Sequence, residues 1–487
     1  MTGDMVRRRD LLKACAAAPL AAAFAGQKRY EASWTSIDAR PCPDWYLDAK
    51  FGIFIHWGVY SVPAFAPVGE YAEWYWNALV KGGETRRFHD RVYGPDFKYF
   101  DFAPMFRAEL FDPDHWADVF VRSGAKYVAL TSKHHDGFCL WQSAEANRDW
   151  GRPWNAVDIG PKRDLLSDLS AAGRRRGLRM GIYYSLYEWY NPLYLKDRTR
   201  YVAEHMFPQF KDVVTRAKPS IIFSDGEWEM TSAEWRSPEL LAWLFNESPV
   251  SGEVVIDDRW GSDTRHRHGG YYTTEYTAGL EGGGHPWEES RGMGFSYGYN
   301  RMETLKDYHT GRELLLMLID IVSRGGNLLL DIGPTADGRI PVEMEERLVR
   351  IGNWLSANGE AIYGARAWRH SRQWSAGDVP KLEQKEFRGK YDIKELVDAP
   401  PRGAARIEAF LTAKPGAIYA IVPRRPAGDV VIDDVEAPQG VRVTLLGSGI
   451  GLGARLEGKR LTVRVPDALA ARLPASDGYV FKVEGVK

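Results

Sequence analysis

Ile221-Ile222-Phe223-Ser224-Asp225-Gly226 is a short apolar run that ends on a carboxylate and a glycine. A continuous apolar run closed by a turn signal reads as a strand covered on both faces, as in a parallel sheet. The pattern recurs along the chain, with strands predicted over Phe51–His56, Tyr127–Thr131, Met180–Ser185, Ser220–Ser224, Val254–Asp257 and Asn327–Ile332. Amphipathic segments separate them. Over Asp164–Arg176, Leu165, Leu166 and Leu169 fall at helical spacing behind an aspartate cap, and Arg312–Ser323 stops at Gly325-Gly326. Alternation of this kind from about residue 40 to 365 predicts an irregular (β/α)8-like TIM barrel. A doubly wound open sheet is the alternative, but no Gly-rich phosphate loop follows the first strand.

The residues that close each run carry the chemistry. His56, His134 with His135, Tyr184, Asp225 and Arg259 stand at or just beyond five strand ends. In a barrel the carboxyl ends of the strands converge on one face, so groups far apart in sequence can share a pocket. Asp225 would be held rigidly at that mouth, although an aspartate capping the next helix would look the same. Its partner carboxylate is sought among Glu73, Glu275 and Glu288, each flanked by aromatic residues. One ionised and one protonated carboxyl make up a glycoside-hydrolysis pair. Taken singly, each glutamate also reads as a surface or salt-bridge residue. The histidines invite a metal, but adjacent strand residues face opposite ways and no His-Glu-x-x-His is present, so no metal and no cofactor are expected.

Composition narrows the classes. The 487 residues carry 64 Lys+Arg against 65 Asp+Glu, a net charge of -1 that argues against a nucleic-acid partner. Three cysteines cannot frame a disulfide scaffold. The basic start Arg7-Arg8-Arg9, the apolar run Ala14 to Ala25 and the small-x-small Ala23-Phe24-Ala25 predict a cleaved signal over residues 1–25. Arg8-Arg9-Asp10-Leu11-Leu12-Lys13 resembles a twin-arginine export signal, so a periplasmic or secreted destination is expected, with no membrane span in the mature form. Of the cysteines that remain, Cys42 and Cys139 are read as either a bridge or two free thiols.

All 18 Trp lie between Trp34 and Trp374 and all 11 His between His56 and His370. The tail beyond them alternates in short runs such as Ala417–Val422, Val441–Leu445 and Leu461–Val465, the pattern of an antiparallel β-sandwich. The expected division is therefore signal 1–25, barrel 26–370 and sandwich 371–487, the last with a supporting role. Trp57, Trp74, Trp141, Trp228, Trp260 and Trp287 fall within the candidate site motifs. The tryptophan surplus is accordingly divided between barrel core and a pocket for flat sugar faces.

Read together, the motifs resemble the α-L-fucosidases of glycoside hydrolase family 29. They are Phe51-Gly52-Ile53-Phe54-Ile55-His56-Trp57-Gly58, Glu73-Trp74-Tyr75, Lys133-His134-His135-Asp136-Gly137-Phe138 with Trp141, and Tyr183-Tyr184-Ser185. Ser224-Asp225-Gly226-Glu227-Trp228, Asp258-Arg259-Trp260-Gly261, Ser296-Tyr297-Gly298-Tyr299-Asn300 and the run Gly325 to Pro334 complete the series, in order. The resemblance implies a barrel followed by a sandwich, and retaining hydrolysis of terminal α-L-fucosides through a covalent glycosyl-enzyme on Asp225. It places His56, His134, His135, Trp74, Tyr184 and Arg259 around the sugar hydroxyls and the nucleophile. For the acid/base it favours Glu275, then Glu288, with Glu73 assisting. Phe54, Trp57 and Phe295 are candidates for the apolar patch facing the fucose methyl. Phe223 and Asp257 stand where the family often has Trp and Asn, and Tyr297 where Trp or Phe is common. The implied partner is a fucosylated oligosaccharide or glycoconjugate, and a homo-oligomer stays open. A related sugar such as an α-L-galactoside, or a binding protein that has lost the chemistry, are the alternatives.

Overall fold

The computed structural model describes residues 29–281, 284–383, 385–437 and 440–486; the expected signal over 1–25 lies outside them. Eight strands form one sheet: β1 (Phe51–Ile55), β2 (Tyr127–Lys133), β3 (Arg179–Ser185), β4 (Ile221–Asp225), β5 (Val255–Ile256), β6 (Tyr272–Glu275), β7 (Trp287–Gly292) and β8 (Asn327–Ile332). The order is β5-β4-β3-β2-β1-β8-β7-β6, every pairing parallel. Around it run α1 (Pro113–Arg122), α2 (Leu165–Arg175), α3 (Phe207–Ala217), α4 (Ser237–Asn246), α5 (Gly311–Ser323) and α6 (Val342–Asn358). The curled sheet is an irregular (β/α)8-like barrel whose seam lies between β5 and β6. Among the described residues no helix intervenes from β5 to β7.

Alternation along the strands sorts their side chains. Phe54, Tyr127, Ala129, Tyr183, Ile221, Phe223, Val255 and Leu329 pack together in the barrel interior, while residues of the other parity pack outward beneath the helices. The interior is crowded enough to require glycine. A Cβ on Gly181 would lie 2.1 Å from Ile221 Cγ2, and one on Gly52 would lie 2.2 Å from the Tyr127 ring. The helices start as the sequence suggests: Asp164 accepts a 2.8 Å hydrogen bond from Ser167 N ahead of α2, and Thr310 caps α5.

β6 and β7 escape a search for apolar runs because their inward positions are polar: Thr273 and Glu275, then Glu288 and Ser290. After the barrel come β9 (Arg366–Trp374), β10 (Ile407–Lys414), β11 (Ala417–Val422), β12 (Val430–Ile432), β13 (Arg442–Leu445), β14 (Ile450–Leu452), β15 (Ala454–Glu457), β16 (Arg460–Val463) and β17 (Tyr479–Glu484). They form antiparallel sheets ordered β14-β13-β17-β11-β10-β9 and β12-β16-β15 over their own apolar core, a C-terminal sandwich. β9 already belongs to it, so the expected boundary at 370/371 falls inside a strand. The sandwich is fixed to the barrel helices: Trp354 Nε1 donates to Gly478 O at 2.9 Å, and Tyr391 Oη donates to Asp320 Oδ2 at 2.9 Å.

Candidate active site

The residues singled out by their place at strand ends meet on one face of the barrel. Asp225 closes β4, Glu275 closes β6, His56 follows β1, His134 and His135 follow β2, and Arg259 follows β5. They surround a cleft of about 720 Å³, within the range of small-molecule sites. Inward parity delivers Phe54 and His56 from one strand, Phe223 and Asp225 from another, and Thr273 and Glu275 from a third.

Asp225 is saturated with partners. Tyr183 Oη donates to its Oδ2 at 2.8 Å, Arg259 Nη1 donates to Oδ1 at 3.0 Å, and His135 Nε2 and Arg265 Nη2 stand 3.5 and 3.9 Å away. Burial opposes its ionisation, yet Arg259, His135 and Arg265 outweigh burial and hold the carboxyl below its ordinary value. The same guanidinium reaches a second acid, since Arg259 Nη2 donates to Glu275 Oε2 at 3.1 Å while its Nε donates to Thr273 Oγ1 at 3.0 Å. Asp225 and Glu275 are thus within one planar fork of each other. Tyr71 Oη donates to the other Glu275 oxygen at 3.0 Å.

His56, His134, His135 and Glu73 add neutral donors and acceptors around the cleft. His56 Nδ1 is bound to Asp331 Oδ1 at 2.7 Å, and burial drives the imidazole down to about 3, so it faces the cleft uncharged. His134 also lines the cleft, and its Nδ1 is buried without a partner among the described residues. His135 engages Ser185 Oγ at 2.7 Å, and burial lowers it to about 4. Burial pushes Glu73 up to about 8, so at neutral pH it carries a proton while accepting from Gly298 N at 2.9 Å.

Two carboxyls flanking an arginine, one buried and one partly buried, with uncharged imidazoles and aromatic walls around them, are the equipment of glycoside hydrolysis. Residues 18–360 match the family model described as Alpha-L-fucosidase. The chain belongs to the α-L-fucosidase family. It is accordingly a glycoside hydrolase. It is 39% identical to the human tissue alpha-L-fucosidase over 472 residues, 94% of this chain and 93% of that one. An alpha-L-fucosidase of Dictyostelium discoideum is 46% identical over 355 residues, 70% of this chain and 76% of the other. Among solved structures, a Thermotoga maritima alpha-fucosidase in complex with a mechanism-based inhibitor aligns with a TM-score of 0.76 and 34% identity, covering 94% of this chain and 100% of that one.

The fucosidase cleft gathers His56, Glu73, Trp74, His134, Asp225, Arg259 and Glu275 in its lining, with His135 directly behind Asp225. Two expected residues are elsewhere. Tyr184 points outward, where its hydroxyl donates to Gln209 Oε1 of α3 at 2.8 Å; its neighbour Tyr183 has the inward parity and meets Asp225 instead. Glu288 has the inward parity but sits near the start of β7, at the opposite end of the barrel. There it accepts a short hydrogen bond from Tyr127, the first residue of β2. It therefore cannot share a substrate with Asp225.

Of the six tryptophans in the motifs, Trp74 and Trp228 reach the cleft; Trp57, Trp141, Trp260 and Trp287 are fully buried core. Phe54 and Phe223 supply apolar lining, whereas Trp57 lies beneath and Phe295 stacks behind Tyr71. Cys42 and Cys139 are both free. His266-Arg267-His268 is a His-x-His spacing overlooked in the sequence; the structure occupies both rings, with Thr273 O at 2.9 Å and Asp38 Oδ2 at 2.8 Å.

Several lining residues were not anticipated. Tyr183 was legible from Gly181, the glycine that marks inward parity on β3. Glu227, quoted only as part of a motif, accepts from Arg265 Nε at 2.6 Å on the cleft wall. Glu386 and Phe387, in the chain after β9, also line the cleft, and no sequence signal connects them to the barrel.

Proposed function

We propose that this fucosidase works by a retaining double displacement with Asp225 as nucleophile and Glu275 as acid/base. An Asp225 oxygen attacks the anomeric carbon of a terminal α-L-fucoside. The bond to the leaving oxygen breaks as Glu275 gives that oxygen its proton. Glu275 then takes a proton from water, whose oxygen attacks the same carbon; Asp225 leaves and L-fucose is released. The observation that carries the reading is Arg259 spanning both carboxyl groups, at 3.0 and 3.1 Å. An ionised nucleophile favours the first step, and retention requires carboxyls only about 5–5.5 Å apart.

His56, His134 and the protonated Glu73 supply hydrogen bonds to the ring hydroxyls, and Phe54 with Phe223 the apolar contact for the C5 methyl. Arg259 and Tyr183 fix the nucleophile's orientation, so that its attack needs little reorganisation. Asp225→Gly should nearly abolish hydrolysis of an aryl α-L-fucoside, and azide should restore turnover with a fucosyl azide as product. Activity close to that of the unaltered enzyme would remove Asp225 from this role.

The reading includes export. Arg8-Arg9 and the cleavage signature at Ala25 support a leader of the twin-arginine kind and a periplasmic or secreted enzyme. Among the described residues no helix is long and apolar enough to cross a membrane. The N-terminus of protein recovered from an exporting host should be Gly26, and replacing both Arg8 and Arg9 by Lys should leave the precursor uncleaved in the cytoplasm. A mature chain that retains Met1 would refute this.

A further inference from the structure

The cleft has a floor and a rim of different character. Its floor, with Asp225, Arg259, His56 and Tyr183, is almost wholly buried. Its rim carries two of the chain's exposed large apolar side chains, Trp228 at 39% and Phe387 at 44%. Trp228 is anchored against Trp74, stacked at 5.9 Å, and edge-on to Tyr187. Phe387 lies in the segment that follows the first sandwich strand, β9. That segment is tied to the acid itself: Glu275 N donates to Glu386 O at 2.9 Å, and Arg388 N donates to Glu275 O at 3.0 Å. Phe387 is the register partner of Glu275 in this short parallel bridge.

The position follows from the chemistry. If Glu275 protonates the leaving oxygen, whatever that oxygen belongs to must lie on the Glu275 side of the fucose and away from the floor. The groups tied to Glu275 there are the Phe387 ring and the half-exposed Glu386 carboxylate, which faces His266 Nδ1 at 3.8 Å; Trp228 and Arg267 line the same cleft. Aromatic faces suit the flat C–H face of a pyranose, and a carboxylate with a guanidinium suits its hydroxyls. A cleft of about 720 Å³ has room for more than one pyranose.

We propose that Phe387, with Glu386 and Trp228, forms the subsite for the sugar that carries the fucose, so that the segment after β9 selects the leaving group. This rests on the double-displacement mechanism with Glu275 as acid/base. The sandwich then does more than support the barrel, because the chain that enters it furnishes a wall of the active site.

The test must separate sugar binding from any disturbance of Glu275. Partitioning does so. With α-L-fucosyl fluoride as donor, the fucosyl-Asp225 ester is attacked either by water or by a hydroxyl of an added methyl β-pyranoside of glucose, galactose or N-acetylglucosamine. In both cases the C1–Asp225 oxygen bond breaks, Asp225 regains its charge and Glu275 accepts the proton. The ratio of transfer to hydrolysis therefore reads acceptor binding and cancels a fault in the base. For Phe387→Ala this ratio should fall roughly three- to tenfold with the preferred acceptor. Phe387→Tyr, which keeps the ring, should stay within about twofold, and inhibition by free L-fucose should be unchanged in both. An unchanged ratio in Phe387→Ala, or no transfer to any of the three acceptors by the unaltered enzyme, overturns the subsite. Failure of the unaltered enzyme to release fluoride would instead strike at the mechanism beneath it.

Discussion

Tyr183 donates a 2.8 Å hydrogen bond to Asp225 Oδ2, and with Arg259 on Oδ1 it leaves neither oxygen of the carboxylate free to turn. In the proposed mechanism, a nucleophile held on both sides needs little reorganisation to attack, but it must give up hydrogen bonds as its charge moves into the new bond. Tyr183→Phe removes one of the two anchors without altering the ring. We expect kcat to fall about 10- to 100-fold. Tyr184→Phe, on the same strand but facing α3, should change kcat less than about threefold. Its loss of the Gln209 bond should cost roughly 1 kcal/mol of stability instead. Steady-state kinetics and chemical denaturation of the pair decide the matter, and equal kinetic losses would show that strand parity does not separate their roles.

That pair also marks where the sequence could and could not be read. The barrel was legible, and so were His56, His134, Asp225 and Arg259 at its mouth, because each of these stands at or just beyond the end of an apolar run; β8 has the bounds its pattern predicts, Asn327–Ile332. Tyr184 misleads because a strand end says nothing of which way each residue faces. Gly181, with no room for a Cβ, fixes that parity two residues before Tyr183. Glu288 misleads differently: its parity is inward, but the polar inward positions of β7 hide the strand, so nothing in the pattern tells its first residues from its last. Phe387 lay beyond reach, because its meeting with Glu275 depends on how the sandwich docks.

Glu288 gives a prediction in stability instead of catalysis. Its carboxyl is enclosed by Tyr127, Tyr46 and Tyr271, and burial pushes it from an ordinary 4.5 up to about 7. The folded state therefore binds a proton that the unfolded chain releases at lower pH. The resulting stability is fully present below about pH 4.5 and is lost as pH rises through about 7. Glu288→Gln should flatten that decline, visible as a smaller fall in Tm between pH 5 and 8, roughly the span of the shift. Activity should stay within about threefold. Glu275→Ala should by contrast lose most activity on a natural fucoside but far less on one whose leaving group needs no proton. A collapse of activity in Glu288→Gln on that natural substrate alone would reverse the assignment of the acid.

Arg259 is predicted to be irreplaceable by lysine. Its two terminal nitrogens serve Asp225 and Glu275, its Nε serves Thr273, and its plane lies over the Phe223 ring at 4.7 Å. Lysine offers one charged centre in place of this fork. Arg259→Lys should lower kcat/KM by roughly 100-fold or more, with the larger share in kcat. Measuring both constants on an aryl fucoside suffices, and a change confined to KM would mean that Arg259 only binds substrate.

Asp257 behind this arginine departs from the asparagine common in the family, and the structure removes the difference. Ser224 Oγ lies 2.6 Å from Asp257 Oδ1 and 2.7 Å from the Arg259 carbonyl oxygen. One hydroxyl proton cannot serve two acceptors. The carbonyl has none to give, so Ser224 donates to Arg259 O and accepts from a protonated Asp257. Burial, with Asp258 next to it, raises Asp257 well above its ordinary value, in keeping with this. A neutral aspartic acid here does what an asparagine amide would do, holding Ser224 and through it the backbone of Arg259. Asp257→Asn should keep kcat/KM within about twofold and raise stability at pH 8, where the native acid is under pressure to ionise. Asp257→Ala, which leaves Ser224 without its donor, should lower kcat about tenfold through a loosened Arg259. If Asp257→Asn proved as damaging as Asp257→Ala, the residue would have to act as an ion, and the direction of the Ser224 hydrogen bonds would have to be reversed.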